Sequence, residues 1–360
     1  MYLAHLRLRD FRNYARQDVD FAPGFHLLLG DNAQGKTNIL EAAYLLATLR
    51  SFRGVGGAQM IRHGQPAYFV GATLVGQATH EIKMYWSLRE RKLSLDGRPV
   101  RRLTEYLGTL RAVVFCAEDQ HLVEGTARVR RRFLDLLLSQ THAVYLPTLQ
   151  RYTQALRARN ALLKQPAPDA TALESFSLEL VRLGNRLIHW RRQLVPELAP
   201  LAGQAYQRMA PGAEELRLCY RPMVKSEFAV ELAQSRSRER AYRATLVGPH
   251  RDDLDMRLDE RPVAPFASEG QKRTLAIALK MAQAEYLTRL HGTPPVLLID
   301  DVMGELDARR RAGFLPLIER ARVAQSQVFM TCTEENWPRE LAPELRRWEV
   351  KAGTLRPKNG

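Results

Sequence analysis

Cysteine is scarce in this chain. The three present among 360 residues, Cys116, Cys219 and Cys332, are scattered, with neither metal-ligand spacing nor an even disulfide set. That excludes a disulfide-stapled secreted scaffold, points to a reducing compartment, and leaves each thiol expected as a small core residue. Long apolar runs are missing too. None reaches the ~20 residues that span a bilayer, and Met1-Tyr2-Leu3-Ala4-His5-Leu6-Arg7 lacks the apolar core of a cleavable leader. The chain is therefore expected to be cytoplasmic, with no membrane partner. No internal repeat or low-complexity segment is present. Acid is in deficit: 54 Lys and Arg against 39 Asp and Glu give a net charge of +15. Such an excess calls for a polyanionic partner, either nucleic acid or an acidic surface. Neither a zinc finger nor a recognition helix accompanies it, so binding to DNA would be backbone-directed, weakly sequence-dependent and sensitive to salt.

What is present begins with a hydrophobic content of 45%, enough for two globular lobes with real cores. The segment Gly30-Asp31-Asn32-Ala33-Gln34-Gly35-Lys36-Thr37 matches G-x-x-x-x-G-K-[ST]. Its glycines let backbone N–H groups wrap a phosphate chain. Lys36 supplies a cation, and Thr37 a hydroxyl for Mg²⁺. The apolar run Phe25–Leu29 reads as a buried strand ending at the loop. From Lys36 to Arg50, Ile39, Leu40, Ala43, Leu46 and Ala47 recur at helical spacing. The helix dipole would therefore aim its positive end at the phosphates. A second apolar run, Val296–Ile299, ends in Asp300-Asp301. Asp300 is the candidate Mg²⁺ carboxylate, and Asp301 the candidate that holds or deprotonates an attacking water. Ser268-Glu269-Gly270-Gln271 opens an apolar helix, with Ser268 and Gln271 at capping-box spacing.

The order of these segments, followed by Glu305-Leu306-Asp307, resembles ABC-type ATPases: phosphate loop, signature helix, acidic strand, D-loop. In finer detail the chain resembles the RecF family nearly end to end. The resemblance is carried by Leu6–Tyr14, Gly30–Asn38, Ser51-Phe52-Arg53, Arg130–Asp135, Gly248-Pro249-His250-Arg251-Asp252-Asp253-Leu254 and Asp300-Asp301-Val302. It implies a weak, DNA-stimulated ATPase with ATP and Mg²⁺ as cofactors. Nucleotide would be held by Gly30 to Asn38, with Arg12 near its base or sugar and Glu118 or Gln120 in a Q-loop. It implies a head-to-tail dimer in the ATP-bound state, in which Ser268, Glu269, Gly270 and Gln271 of one copy cover the γ-phosphate held by the other, with Glu305 and Asp307 in the D-loop. The implied partners are gapped DNA or a single-strand/double-strand junction, and RecR with RecO, helping RecA load. A switch histidine is missing where Thr331-Cys332-Thr333-Glu334 stands, and His250 and Arg251 have no evident role. An ABC-type ATPase coupled to a permease or to a long-armed SMC-like complex is the rival reading.

The fold class expected is α/β, an ABC-type P-loop ATPase head (mixed sheet plus antiparallel meander) with an inserted helical arm. Residues 1–114 and 293–360 form the ATPase lobe, and 115–292 the arm with the signature helix. Ile82, Met84, Trp86 and Leu88 alternate as one face of a strand, and Asp96-Gly97 marks a hairpin. In the arm, 134–138, 155–163, 178–187 and 194–201 read as helical faces. Pro166 and Pro168 break the region, and the tail from Lys351 is expected to fray. Basic clusters at Arg128, Arg130, Arg131 and Arg132, at Arg191 and Arg192, and at Arg236, Arg238, Arg240 and Arg243 are the candidate DNA surface.

Overall fold

The computed structural model describes residues 1–212, 214–333 and 345–358. In chain order its strands and main helices are β1 (Tyr2–Phe11), β2 (Tyr14–Asp20), β3 (Gly24–Leu29), α1 (Lys36–Thr48), β4 (Ala67–Val75), β5 (Thr79–Ser87), β6 (Arg91–Leu95), β7 (Arg98–Pro99) and β8 (Ala112–Phe115). Then come α2 (Ala127–Thr141), α3 (Tyr145–Leu163), α4 (Ala170–Met209), β9 (Leu216–Arg221), α5 (Phe228–Gln234), α6 (Arg236–Tyr242), β10 (Asp253–Leu258) and β11 (Arg261–Pro262). The chain closes with α7 (Glu269–His291), β12 (Val296–Asp300), α8 (Ala308–Val323), β13 (Gln327–Cys332), β14 (Leu345–Lys351) and β15 (Thr354–Pro357).

Two compact units result: Met1–Asp119, Gln204–Ala213 and Arg273–Gly360 form the first, Gln120–Gly203 and Glu214–Lys272 the second. Against the expected cuts after 114 and 292, the chain leaves the first unit after Asp119 and returns for good at Arg273, with a brief visit between. The reason is packing on α8. A Cβ at Gly313 would lie 2.5 Å from the Arg208 carbonyl, and Arg310 donates to Thr274 Oγ1 at 2.8 Å.

In the first unit, one sheet has the order β15-β14-β3-β13-β12-β8. Its strands β14, β3, β13, β12 and β8 pair in parallel. The near-continuous apolar runs of β3, β12 and β8 are buried throughout, as a covered parallel sheet requires. Parallel pairing brings the carboxyl ends of β3, β12, β13 and β8 to one edge, where ligands of such sheets bind. The other sheet is an antiparallel meander, β2-β1-β4-β5-β6-β7, closed at the expected Asp96-Gly97 turn. Leu88 leaves the expected pattern: it is 79% exposed, because β5 ends at Ser87, whose hydroxyl takes the N–H groups of Arg89 and Glu90 in a turn. The tail does not fray through residue 358. It folds back as the β14–β15 hairpin, and Gln17 brackets Leu355 by accepting its N–H at 2.8 Å and donating to its carbonyl at 3.1 Å.

The second unit is helical apart from the small sheet β11-β10-β9. Pro166 and Pro168 separate α3 from α4, as expected. But the faces read at 178–187 and 194–201 belong to one helix of 40 residues that continues through Pro196 and Pro200. Both prolines lie on the exposed face, four residues apart, where the carbonyls they leave without a helical donor face solvent instead of the core. Leu194, Val195, Leu198 and Leu201 stay buried on the other side. Cys219 is exposed, unlike Cys116 and Cys332, because it takes an outward position of β9.

Arg191, read with the basic surface, is buried. It donates to Asp135 at 2.8 Å, to Asp252 at 2.9 Å and to the Pro249 carbonyl at 2.8 Å. Asp252 also accepts from Tyr220 and from the N–H of Met223. His250 Nε2 faces the Thr245 carbonyl, which can only accept, so Nδ1 accepts from the Tyr152 hydroxyl at 2.7 Å. The segment Gly248–Leu254 thus ties α2, α3 and α4 together around the buried Asp252, with Arg251 exposed, and burial lowers the His250 pKa to about 4.

Candidate nucleotide site

The phosphate loop is shaped by two glycines that no other residue could replace without strain. Gly30 has φ +156°, and a Cβ there would lie 2.3 Å from the Val350 carbonyl oxygen. Gly35 has φ +116°, with a would-be Cβ 2.7 Å from the Asn13 amide. Gly35 is also the N-cap of α1 and offers no side-chain acceptor, so the first helical amides remain available to an anion. Lys36 is only 5% exposed; its ammonium donates to the Gly30 and Asp31 carbonyls at 2.5 and 3.0 Å. A cation folded back on the carbonyls of its own loop is a pre-placed partner for phosphate oxygens.

Opposite the loop, Thr37 Oγ1 donates to Asp300 Oδ1 at 2.9 Å, and Thr331 Oγ1 donates to the same oxygen at 2.8 Å. Asp301, in a left-handed conformation at φ +55°, gives its N–H to Thr331 Oγ1 at 3.0 Å. Burial pushes the Asp300 carboxyl above the usual range, the two hydroxyl donors oppose this, and the charges of Asp301 and Glu118 add to it. Negative charge thus gathers where a cation would relieve it. The donor set, one hydroxyl and one buried carboxylate beside a phosphate loop, fits Mg²⁺, which keeps most of its waters and takes oxygen ligands. Among the described residues no group of three or more His, Cys, Asp or Glu gathers as a separate metal site.

One layer of support lay outside the sequence reading. Asn13 Nδ2 donates to the Gln34 carbonyl at 2.8 Å, Gly353 N–H to the same carbonyl at 3.1 Å, and Ala352 N–H to Gln34 Oε1 at 2.7 Å. The loop's own Gln34 is clamped between the β1–β2 turn and the β14–β15 turn. Gly353, at φ +71° with Asn13 O where a Cβ would sit, was the signal. Asn38, the residue after Thr37, completes the brace by donating to Asn13 at 2.8 Å.

The other expected residues sort by their partners. Asp31, Asn32 and Ala33 form the outer turn of the loop, Ala33 at φ +64°. Arg12 chelates the buried Glu41 of α1 through two 2.7 Å bonds and gives a third to the Gln59 carbonyl at 2.8 Å. Glu118 adds negative charge at Asp300, whereas Gln120 donates to Glu269 at 2.6 Å and to Glu124 at 3.1 Å. Between them Asp119 forms a buried pair with Lys280 at 3.6 Å. Ser268 and Gln271 form the expected capping box: Ser268 N–H to Gln271 Oε1 at 2.8 Å, Gln271 N–H to Ser268 Oγ at 3.3 Å. Gln271 also donates to Glu214. Glu305 pairs with Arg273 at 3.5 Å, and Asp307 caps α8 by accepting the Arg310 N–H at 2.8 Å. In the segment Thr331–Glu334, Thr331 donates to Asp300; Glu334 lies outside the described residues.

Among the basic candidates, Arg130 is bound to both oxygens of Asp253, Arg131 to the Asp252 carbonyl, and Arg236 to Glu174. Arg132 is half-buried. Arg128 and Arg238 are exposed and make no ion pair among the described residues.

A phosphate loop, an acidic strand end and a serine-capped helix, on a partly parallel sheet with a meander and an inserted helical unit, define the head of an ABC-type ATPase of the SMC kind. The RecF/RecN/SMC N terminal domain profile matches residues 2–349. The chain is 38% identical to the DNA replication and repair protein RecF of Symbiobacterium thermophilum over 99% of its length and 98% of the relative's. It is 37% identical to that of Lactococcus lactis subsp. cremoris, covering 99% of both. A solved structure of the recombination mediator protein RecF with ATP, in the RecFOR pathway, superposes with a TM-score of 0.90 at 28% identity, over 99% of this chain and 98% of that one. A Pyrococcus furiosus Smc head shares the fold, at 0.57 and 15%. The chain belongs to the RecF family.

Proposed function

We propose that this chain is an ATP-gated DNA clamp acting in recombinational repair of gaps. ATP is held by Gly30 to Asn38, with the amides of α1 and Lys36 on its phosphates. Thr37 and Asp300 would hold Mg²⁺, which would supply positive charge to neutralise the outer phosphates. Ser268 and Gly270, at the start of α7, cover the γ-phosphate on a second copy in a two-fold head-to-tail dimer, so ATP favours the dimer by mass action. Asp301 orients the water that attacks. Loss of the γ-phosphate loosens the interface and releases DNA. Hydrolysis is slow, stimulated by DNA, and times release. The substrate is gapped DNA with its single-strand/double-strand junction, and the downstream partners are RecR and RecO, which help RecA load.

The observation that carries this reading is the shared Asp300 oxygen, bonded at once by the loop's Thr37 and by Thr331. Asp301 stands one residue on, tied to that cluster through its backbone N–H on Thr331 Oγ1. Asp301→Asn is therefore expected to leave ATP binding intact, slow phosphate release by at least about a hundredfold, and accumulate ATP-bound dimers. Wild-type turnover in that variant would remove Asp301 from the chemistry.

A further inference from the structure

The segment Arg236-Ser237-Arg238-Glu239-Arg240-Ala241-Tyr242-Arg243 holds four arginines, one glutamate and one tyrosine. Its helix, α6, turns the glutamate inward. Glu239 and Arg159 of α3 are both fully buried and joined at 2.6 Å, and Glu239 also accepts the Leu246 N–H at 2.8 Å. Arg159 is fixed further by Ser177 Oγ at 3.0 Å and Thr245 Oγ1 at 2.8 Å. The one local acid is therefore neutralised in the interior, and the same pair anchors α6 rigidly.

The outward side is left cationic. Arg236 is tied to Glu174, but Arg238, Arg240 and Arg243 are exposed and make no ion pair among the described residues. Tyr242 is 69% exposed, an uncommon state for an aromatic side chain, and has no hydrogen-bond partner among the described residues. Arg238 and Tyr242 are four residues apart and so share a helix face. Arg243 closes the helix at φ +52°, where glycine is the usual residue, with its N–H on the Glu239 carbonyl.

Cations alone suit any phosphate backbone. An exposed ring among them adds something only where a base offers its face, and in a duplex those faces are covered by stacking. Single strands leave them open, and an aromatic platform flanked by cations is how proteins hold such strands without reading sequence. We infer that the outward face of α6 is a contact for single-stranded DNA, with Tyr242 stacking on an unpaired base and Arg238, Arg240 and Arg243 holding the adjoining phosphates. The inference rests on the reading of this chain as a DNA-binding protein and locates one contact of it. The helix is about 10 Å long, so it engages a short stretch of strand.

The test measures affinity for a single-stranded oligo(dT) and for a blunt duplex of equal length, across a salt series, with the full chain. Tyr242→Ala is expected to weaken single-strand binding by about five- to a hundredfold and duplex binding by less than about twofold, while Tyr242→Phe keeps wild-type affinity for both. Replacing Arg238, Arg240 and Arg243 together by Ala should flatten the slope of log affinity against log salt on the single strand by about 2. Unchanged single-strand binding in Tyr242→Ala, or equal losses on both substrates, would overturn the contact while leaving the DNA-binding reading in place. A wild-type chain that binds neither substrate at low salt would overturn both.

Discussion

Lys36 shows at the scale of one residue how much of the nucleotide site is built before ligand arrives. Its ammonium is buried beside two loop carbonyls, and nearby negative charge is concentrated on Asp300 and Asp301. Removing the amine leaves the carbonyls of Gly30 and Asp31 without that donor and deletes the only side-chain cation of the loop. Lys36→Ala is expected to lose nucleotide binding by at least about a hundredfold, read by titration with a fluorescent ATP analogue; near-normal affinity would place the phosphates elsewhere. Two histidines make a second residue-scale point. His26 and His250 each present Nε2 to a carbonyl and accept at Nδ1 from Trp348 and Tyr152, so both are neutral and buried, with pKa values lowered to about 4. The unfolded chain protonates them from about pH 6.5 downward, the fold resists until about pH 4, and their contribution to stability is therefore lost as pH falls through that window. Asp119 and Asp300, whose pKa values are raised by burial, act in the opposite sense, so the histidine effect is best isolated by replacement. In His250→Gln the loss of unfolding free energy between pH 7 and pH 5 should be smaller than in wild type by about 2 kcal/mol. An identical pH dependence in the two proteins would show that His250 does not titrate as described.

At the scale of elements, the phosphate loop, its strand and its helix were legible because each carries a dense local signal: an apolar run, a glycine pair and a helical period without interruption. The serine-led helix was legible for the same reason, as a capping box needs only Ser268 and Gln271 at fixed spacing. What was hidden depended on partners distant in sequence. Nothing local to Gln34 announces its clamp by Ala352 and Gly353, more than three hundred residues on, nor that the tail pairs with β2 through Gln17. Arg191 read as a surface residue because sequence shows a charge and not the carboxylates that meet it. The faces at 178–187 and 194–201 read as separate stretches, and their union in one helix stayed hidden because which side of it meets water is decided by packing. The same logic frames an element-scale prediction for α7. Ser268→Arg puts a bulky cation at an exposed N-cap and leaves every residue of the phosphate loop unchanged, so a monomer should still bind ATP while ATP-dependent dimers disappear in sedimentation; dimers of normal stability would exclude this helix from the interface. Loss of the cap itself should cost only about 1 kcal/mol of stability.

For the whole molecule, the +15 charge and the division into an α/β unit and a helical unit set the terms. The charge is not spread evenly in availability: much of the arm's arginine is bound to Asp253, Asp252, Asp135, Glu239 and Glu174, which leaves a smaller set free for a polyanion. A clamp of this kind needs nucleotide to govern assembly, and assembly to govern residence on DNA. The most direct measurement is the mass of the particle in solution with no nucleotide, with ADP, and with a non-hydrolysable ATP analogue and Mg²⁺, each with and without gapped DNA. The account predicts a monomer in the first two conditions and a dimer in the third, held more firmly on gapped DNA. A particle that stays monomeric at saturating ATP analogue while it still binds DNA would contradict it.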